Sequence, residues 1–258
     1  MPKINIRNGL VMLAATILVA TLLVTGCQHA PTVMIKATGG NYIVTRDTDV
    51  TGTPIGTYNT LADAVAACGA YLTNGAYTIT ATQNDPDITG GSASEISIPS
   101  NKWITLTSGT GGPYTLTMKA NVRHFTILGT TTQRSQLTLE NVILDGNSAA
   151  TDGGGIQVGA YSTLIMNDGA AVRNCSALRG GGVYNDGDFV MQDGAMVSSN
   201  TATDGGGVYN YLGATFTMEG GRISNNTAEE DGGGVYNYRN VTFTMYGDAV
   251  ISGNYALL

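Results

Sequence analysis

Hydrophobic positions recur along the second half of the chain in short runs, none of them long enough to form a helix. One unit holds three β-prone runs, Val208-Tyr209-Asn210, Phe216-Thr217-Met218 and Arg222-Ile223, separated by residues rich in Gly, Asn and Asp. Gly triplets open successive units at spacings of 27, 25 and 27 residues, beginning at Gly153, Gly180, Gly205 and Gly232. A near-constant period of this size is typical of a stacked solenoid.

The same residue types return at the same place in each unit. They include the methionines Met166, Met191, Met218 and Met245, the phenylalanines Phe189, Phe216 and Phe243, and the turn asparagines Asn147, Asn200, Asn226 and Asn254, with Cys175 standing in once. A three-residue strand gains a full ladder of hydrogen bonds when it stacks on its copy about 4.8 Å away. We therefore predict an all-β fold, a single parallel β-helix with three short strands per coil of about 25–27 residues. An antiparallel β-sandwich would not need columns of identical residues.

The region before the regular repeats predicts a cap. Leu61, Ala64, Val65 and Cys68 lie at i, i+3, i+4 and i+7, with Asn59 or Thr60 as the N-cap and Gly69 as the end of one short helix. A solenoid needs its first coil covered. We expect the cap over 41–76, including a helix over 60–68, and the β-helix over 77–258, with regular repeats from about 153.

The first residues have the pattern of an export signal. A basic region with Lys3 and Arg7 precedes the uncharged run from Leu10 to Val24. The segment Val24-Thr25-Gly26-Cys27 resembles the bacterial lipobox, which implies a signal peptide over 1–26, a lipidated Cys27 and a tether over 27–40. The alternatives are a secreted chain with an incidental Cys and an uncleaved anchor. The resemblance implies an exported, membrane-anchored lipoprotein on the cell surface or outer membrane.

Charge and cysteine content exclude two classes of function. The net charge is −7, only 12% of residues are charged, and the sequence has no basic cluster, which argues against nucleic acid as a partner. Cys27, Cys68 and Cys175 have no close spacing, so they predict neither a disulfide framework nor a zinc motif. Cys68 is expected to be a small buried side chain.

The repeats GGGVYN, FTM and ISNNTA resemble those of the right-handed parallel β-helix, or pectin-lyase-like, family. They are similar to bacterial surface β-helix proteins, including the chlamydial polymorphic outer-membrane proteins, over about residues 60–258. The resemblance implies a right-handed coil, but the family hosts lyases, hydrolases and adhesins. Its pectate lyases hold calcium through Asp residues and use an Arg-x-Pro-type motif, which is absent here. His124 lacks the flanking Gly residues of polygalacturonases and is expected to be structural or solvated.

Carboxylates recur beside the Gly triplets. Asp152, Asp204 and Asp231 each precede a triplet, and Arg179 takes that place in the second coil. They could form a calcium site or an acid/base pair, or they could be solvated turn residues for which Asp suits the backbone. We favour the interpretation as solvated turn residues. We therefore assign no catalytic residue and no cofactor, and calcium remains the lesser alternative.

Tyrosines form the better candidate site. If Val208 points inward, strand alternation points Tyr209 outward and, beyond Asn210, Tyr211 outward as well. The same pattern applies to Tyr184, Tyr236 and Tyr238, so five tyrosines are predicted to share one outer face. Such rings suit sugar faces and protein interfaces. Alternatively, Tyr is only a good strand former whose rings stack on one another.

Short, uniform repeats favour a non-catalytic surface protein, either adhesin-like, binding a glycan or a protein, or a structural spacer. The alternative is a polysaccharide lyase or glycoside hydrolase of the pectin-lyase-like fold. The last repeat, from Val250 to Leu258, is not followed by another Gly triplet. We expect either that the chain is part of a longer product or that this open coil docks on a partner, most simply a second copy.

Overall fold

The computed structural model describes residues 40–258, apart from residues 50, 92–93, 119–120 and 149–150. The predicted signal peptide, Cys27 and nearly all of the tether lie outside the described residues. No helix within the described part of the chain is long and apolar enough to cross a membrane.

Twenty-four strands and two short helices make up the described fold. In chain order they are β1 (Tyr42–Arg46), β2 (Pro54–Tyr58), α1 (Leu61–Ala67), α2 (Tyr71–Asn74), β3 (Tyr77–Ala81), β4 (Ile96–Ile98), β5 (Trp103–Ser108), β6 (Tyr114–Thr117), β7 (Phe125–Ile127), β8 (Ser135–Glu140), β9 (Val142–Ser148), β10 (Ile156–Val158), β11 (Ser162–Met166), β12 (Ala171–Arg179), β13 (Val183–Asn185), β14 (Asp188–Met191), β15 (Met196–Ser198), β16 (Thr201–Asp204), β17 (Val208–Asn210), β18 (Thr215–Met218), β19 (Arg222–Ser224), β20 (Thr227–Ala228), β21 (Val235–Asn237), β22 (Thr242–Met245), β23 (Val250–Ser252) and β24 (Tyr255–Ala256).

The strands form three sheets whose neighbours come from successive coils. Sheet A runs β2-β1-β3-β5-β8-β11-β14-β18-β22, and sheet C runs β21-β17-β13-β10-β7-β4. Sheet B holds two ladders, β6-β9-β12-β15-β19-β23 and β9-β12-β16-β20-β24, joined through the long strands β9 and β12. Pairing from β3 onward is parallel, so the fold is a β-solenoid of about six turns. This confirms the predicted parallel β-helix.

The core includes the predicted columns. Phe189 stacks on Phe216 with ring centroids 4.6 Å apart, and Phe216 stacks on Phe243 at 5.0 Å. The methionine column is in register as well, from Met166 through Met191 and Met218 to Met245. Because each inward residue meets its own kind, one packing solution repeats from coil to coil.

The corners depend on residues that tolerate a left-handed backbone or close contact. Asn174, Ser199 and Asn225 occupy the corner that divides the two ladders of sheet B, with φ of 56°, 56° and 57°. At the Gly triplets there is no room for a side chain, because a Cβ at Gly181 would lie 2.5 Å from the Thr201 carbonyl oxygen. Glycine is therefore required there for the coils to approach one another.

Buried asparagines form a second, polar column. The Asn226 side chain accepts a hydrogen bond from the Asn200 side chain at 3.0 Å and donates one to Asn254 at 2.9 Å. It also donates to the Val197 carbonyl oxygen at 3.0 Å. This confirms the predicted turn column over the described asparagines, and it leaves these buried amides paired.

The N-terminal cap contains more than the predicted helix. Helix α1 begins after Thr60, whose side chain accepts from the Asp63 backbone N–H, and it packs against β1, β2 and β4. Cys68 is buried, as expected. Ahead of α1, β1 pairs antiparallel with both β2 and β3, so a hairpin extends the first edge of sheet A. No pattern in the sequence predicts this hairpin.

The last described coil is more open than the one before it. Met245 is 40% exposed, whereas Met218, its neighbour in the column, is fully buried. Phe243 is half-buried, while Phe216 is completely covered.

Candidate ligand-binding face

The five predicted tyrosines lie together on the outer side of sheet C. Tyr184, Tyr209 and Tyr236 are in register on β13, β17 and β21. Their rings stack with centroids 5.4 Å and 5.0 Å apart. A second stack begins where Tyr211 meets Tyr184 at 5.9 Å and continues to Tyr238 at 5.6 Å. We call these five residues the tyrosine face.

The tyrosine face is less exposed than strand alternation suggested. Tyr184 is 6% exposed and Tyr209 is 3% exposed, although neither belongs to the inner hydrophobic core. Their rings are covered from outside by each other and by a neighbouring arginine. Tyr184 and Tyr209 thus lie on the outer side of the sheet but offer little surface to solvent. Tyr211 and Tyr236 are half-buried, and Tyr238 is 40% exposed.

Arg179 covers the buried end of the tyrosine face. Its guanidinium carbon lies 5.4 Å from the ring centroids of both Tyr184 and Tyr209 and 6.0 Å from that of Tyr211, within range of cation–π attraction. Asp152, one coil earlier, accepts two hydrogen bonds from the same guanidinium at 2.9 Å and 2.6 Å. This two-point ion pair fixes the guanidinium plane over the rings.

The electrostatics of the site follow from this arrangement. Hydrogen bonding to Asp152 raises the pKa of Arg179, so the guanidinium stays charged. Burial raises the pKa of Tyr184 and of Tyr209, although the Arg179 charge opposes both shifts. Both phenols are therefore neutral at physiological pH. Burial also raises the pKa of Asp186, next to Tyr184.

The carboxylates beside the Gly triplets have separate roles. Asp152 is paired with Arg179, which stands at the equivalent place one coil later. Asp231 is exposed, and its backbone N–H donates to the Asp204 side chain at 3.4 Å. Within the described residues, no three His, Cys, Asp or Glu side chains gather in an arrangement that could hold a metal ion.

His124 lies away from the tyrosine face, at the start of β7. It is completely buried, and neither ring nitrogen has a hydrogen-bond partner of proper geometry. Burial lowers the pKa of the imidazole to about 4, so the ring is neutral at physiological pH. Cys27, the predicted lipidation site, lies outside the described residues.

Sequence reasoning missed how much Arg179 matters to the tyrosine face, although a signal existed. Arg179 stands where the neighbouring coils have Asp152 and Asp204, and the tyrosines begin in the same coil. The site also includes Arg239, whose guanidinium carbon lies 5.1 Å from the Tyr238 ring centroid.

The tyrosine face can offer only part of each ring to a ligand. Tyr211 lies between Tyr184 and Tyr238, so its edge and hydroxyl are the parts that a ligand can reach. Comparisons of the chain with protein-family models, with curated proteins and with solved structures find no match. Function must therefore be argued from these side chains.

Proposed function

We propose that this chain is a non-catalytic, exported β-solenoid, anchored by a lipid at Cys27, that binds a ligand through the tyrosine face. The observation that carries this proposal is the stacking of five tyrosines on one face, three of them beneath the fixed guanidinium of Arg179. Stacked rings lose little further conformational freedom when a ligand is bound, which reduces the entropic cost of binding. The surface nature of the protein rests on the lipobox-like segment and on the likeness of the repeats to surface β-helix proteins.

A neutral glycan is the ligand that best fits the chemistry of the tyrosine face. Phenol hydroxyls both donate and accept hydrogen bonds, and ring edges give apolar contact with sugar C–H groups. The net charge around the face is negative, because four carboxylates, Asp152, Asp186, Asp204 and Asp231, outnumber the two cations, Arg179 and Arg239. An anionic polymer such as a polyuronate would be repelled by these carboxylates.

Glycan-array binding by the full chain in detergent micelles tests this proposal. We expect neutral glycans to bind and polyuronates not to bind. Replacing both Tyr236→Ser and Tyr238→Ser should abolish the signal, since these rings contribute much of the accessible aromatic surface. Tyr255→Ser is the matched control, because Tyr255 is 63% exposed on β24 of sheet B and lies off the tyrosine face.

The control and the fold readout decide the interpretation. Circular dichroism should show unchanged β-structure in both variants, because neither substitution removes a core side chain. If the wild type binds no glycan, or if Tyr255→Ser loses binding as fully as the double variant, the proposal is wrong.

A further inference from the structure

The outer face of sheet A carries an array of threonines. In sheet A, the strands that pair in parallel are β3, β5, β8, β11, β14, β18 and β22, and together they have sixteen outward positions. Ten of these positions are Thr: Thr78, Thr80, Thr105, Thr107, Thr138, Thr163, Thr215, Thr217, Thr242 and Thr244. Each of them alternates with an inward neighbour of the core. We call these ten residues the threonine face.

Strand propensity alone does not explain this distribution. Thr favours β-strands wherever they face solvent, so propensity would place it on all three outer faces. On sheet C, the six outward positions of the strand centres hold one Thr, Thr126. Sheet B holds five, Thr115 and Thr117 on its first ladder and Thr201, Thr203 and Thr227 on its second. Threonine is therefore concentrated on one sheet.

The threonine face is in register along the solenoid. The central column of outward positions on sheet A includes five of these threonines and consists entirely of β-branched residues, in the order Thr78, Thr105, Thr138, Ile165, Val190, Thr217 and Thr244. Parallel pairing sets successive members about 4.8 Å apart. The column thus repeats a methyl group, and at most positions a hydroxyl, at the pitch of the coils.

The hydroxyls at the C-terminal end of this face are free to bind a surface. Thr215, Thr217, Thr242 and Thr244 form a two-by-two array on β18 and β22, and their hydroxyls make no hydrogen bond within the described residues. On the same face, the side chain of Asp188 is paired with Arg134 at 2.8 Å. The array itself therefore carries no charge.

We propose that the threonine face binds ice. Water next to a methyl group keeps its hydrogen bonds by ordering around it, and a neighbouring hydroxyl anchors that water in place. Because both groups recur at one pitch of about 4.8 Å, the ordered waters recur at the same regular spacing, as contact with a crystalline water surface requires. A glycan fits this face less well, since a lone hydroxyl gains little by exchanging water for a sugar hydroxyl. This surface is separate from the tyrosine face.

Ice-affinity partition of the full chain in detergent micelles tests the proposal. Protein is measured in slowly grown ice and in the remaining liquid. We expect the wild type to be enriched in the ice and Thr217→Lys with Thr244→Lys to be excluded, because the long charged side chains disrupt the water layer. Thr227→Lys with Ser252→Lys, at outward positions of sheet B in the same coils, is the matched control and should stay enriched.

Two conservative variants separate water ordering from simple hydrogen bonding. Thr217→Val with Thr244→Val keeps the methyl groups and should retain most of the enrichment, whereas Thr217→Ser with Thr244→Ser keeps the hydroxyls and should lose most of it. Thermal melts followed by circular dichroism check that every variant is folded. Exclusion of the folded wild type from ice overturns the proposal, as does equal loss in the sheet B control. Binding of the wild type to crystalline cellulose or chitin but not to ice also overturns it.

Discussion

Buried His124 should make the β-helix sensitive to mild acid. The imidazole is fully covered, and burial lowers its pKa from 6.5 to about 4. The Leu116 carbonyl and the Asp145 carboxylate favour the charged ring, but they offset burial only in part. The unfolded chain therefore takes up a proton at a higher pH than the folded chain does. Stability is fully present above pH 6.5 and falls as the pH drops towards 4.

The size of the effect follows from these two pKa values. Each tenfold difference in proton affinity corresponds to about 1.4 kcal/mol, so the complete loss is about 3 kcal/mol, with about 2 kcal/mol lost by pH 5. The carboxyl of Asp145 does not change its charge over the same pH range. Burial works against its charge, yet hydrogen bonds from Arg173 and Asn174 hold the pKa of its carboxyl below the usual value, so it stays ionised at pH 5.

Urea unfolding of the wild type and of His124→Leu, from pH 7 to pH 5, measures this contribution. Leucine is uncharged at every pH, and the carboxylates that titrate in both proteins cancel in the difference. His124→Leu should become more stable relative to the wild type by about 2 kcal/mol over this range. A difference that stays constant between pH 7 and pH 5 would refute the reasoning.

Three further predictions concern other parts of the chain. Phe216→Ala should lower the free energy of unfolding by about 3–5 kcal/mol in urea, and Phe243→Ala by clearly less, because Phe243 is only half-buried. Asn226→Ala should cost about 1–3 kcal/mol for each buried partner left unpaired, whereas Asn225→Gly at the adjacent exposed turn should be near neutral in the same assay. Cys27→Ser should abolish incorporation of labelled palmitate and release the protein from membranes; a wild type that never takes up label contradicts lipidation.

The repeats were predictable because each inward residue meets its own copy. Once the period is known, Met191 must stack on Met218 and Phe189 on Phe216, and no long-range pairing has to be guessed. The hairpin of β1 and β2 follows no such rule. Its antiparallel pairing with β3 joins segments that resemble neither each other nor the repeats, so the sequence contained no column from which to infer it.

The exposure of the tyrosine face was harder to predict than its direction. Alternation along β17 correctly places Val208 inside and Tyr209 outside the inner core. Strand alternation does not predict which neighbouring side chains cover an outward ring. The cover on Tyr209 comes from neighbouring coils and from Arg179, which belongs to a different strand. Such contacts depend on side-chain conformations that a one-dimensional pattern does not contain.

In a β-solenoid of this kind, residues at the same position of successive coils line up in a column along the molecule. The inward positions are constrained by stacking, so chemical variation is restricted to outward positions and corners. On sheet C the outward column changes from Ser97, Thr126 and Gln157 to Tyr184, Tyr209 and Tyr236. The change falls in the coil where Arg179 first replaces a carboxylate. Because Arg179 needs Asp152 behind it and aromatic rings in front of it, arginine and tyrosines are expected to function as one unit. Removing Arg179 should therefore uncover Tyr184 and Tyr209 together.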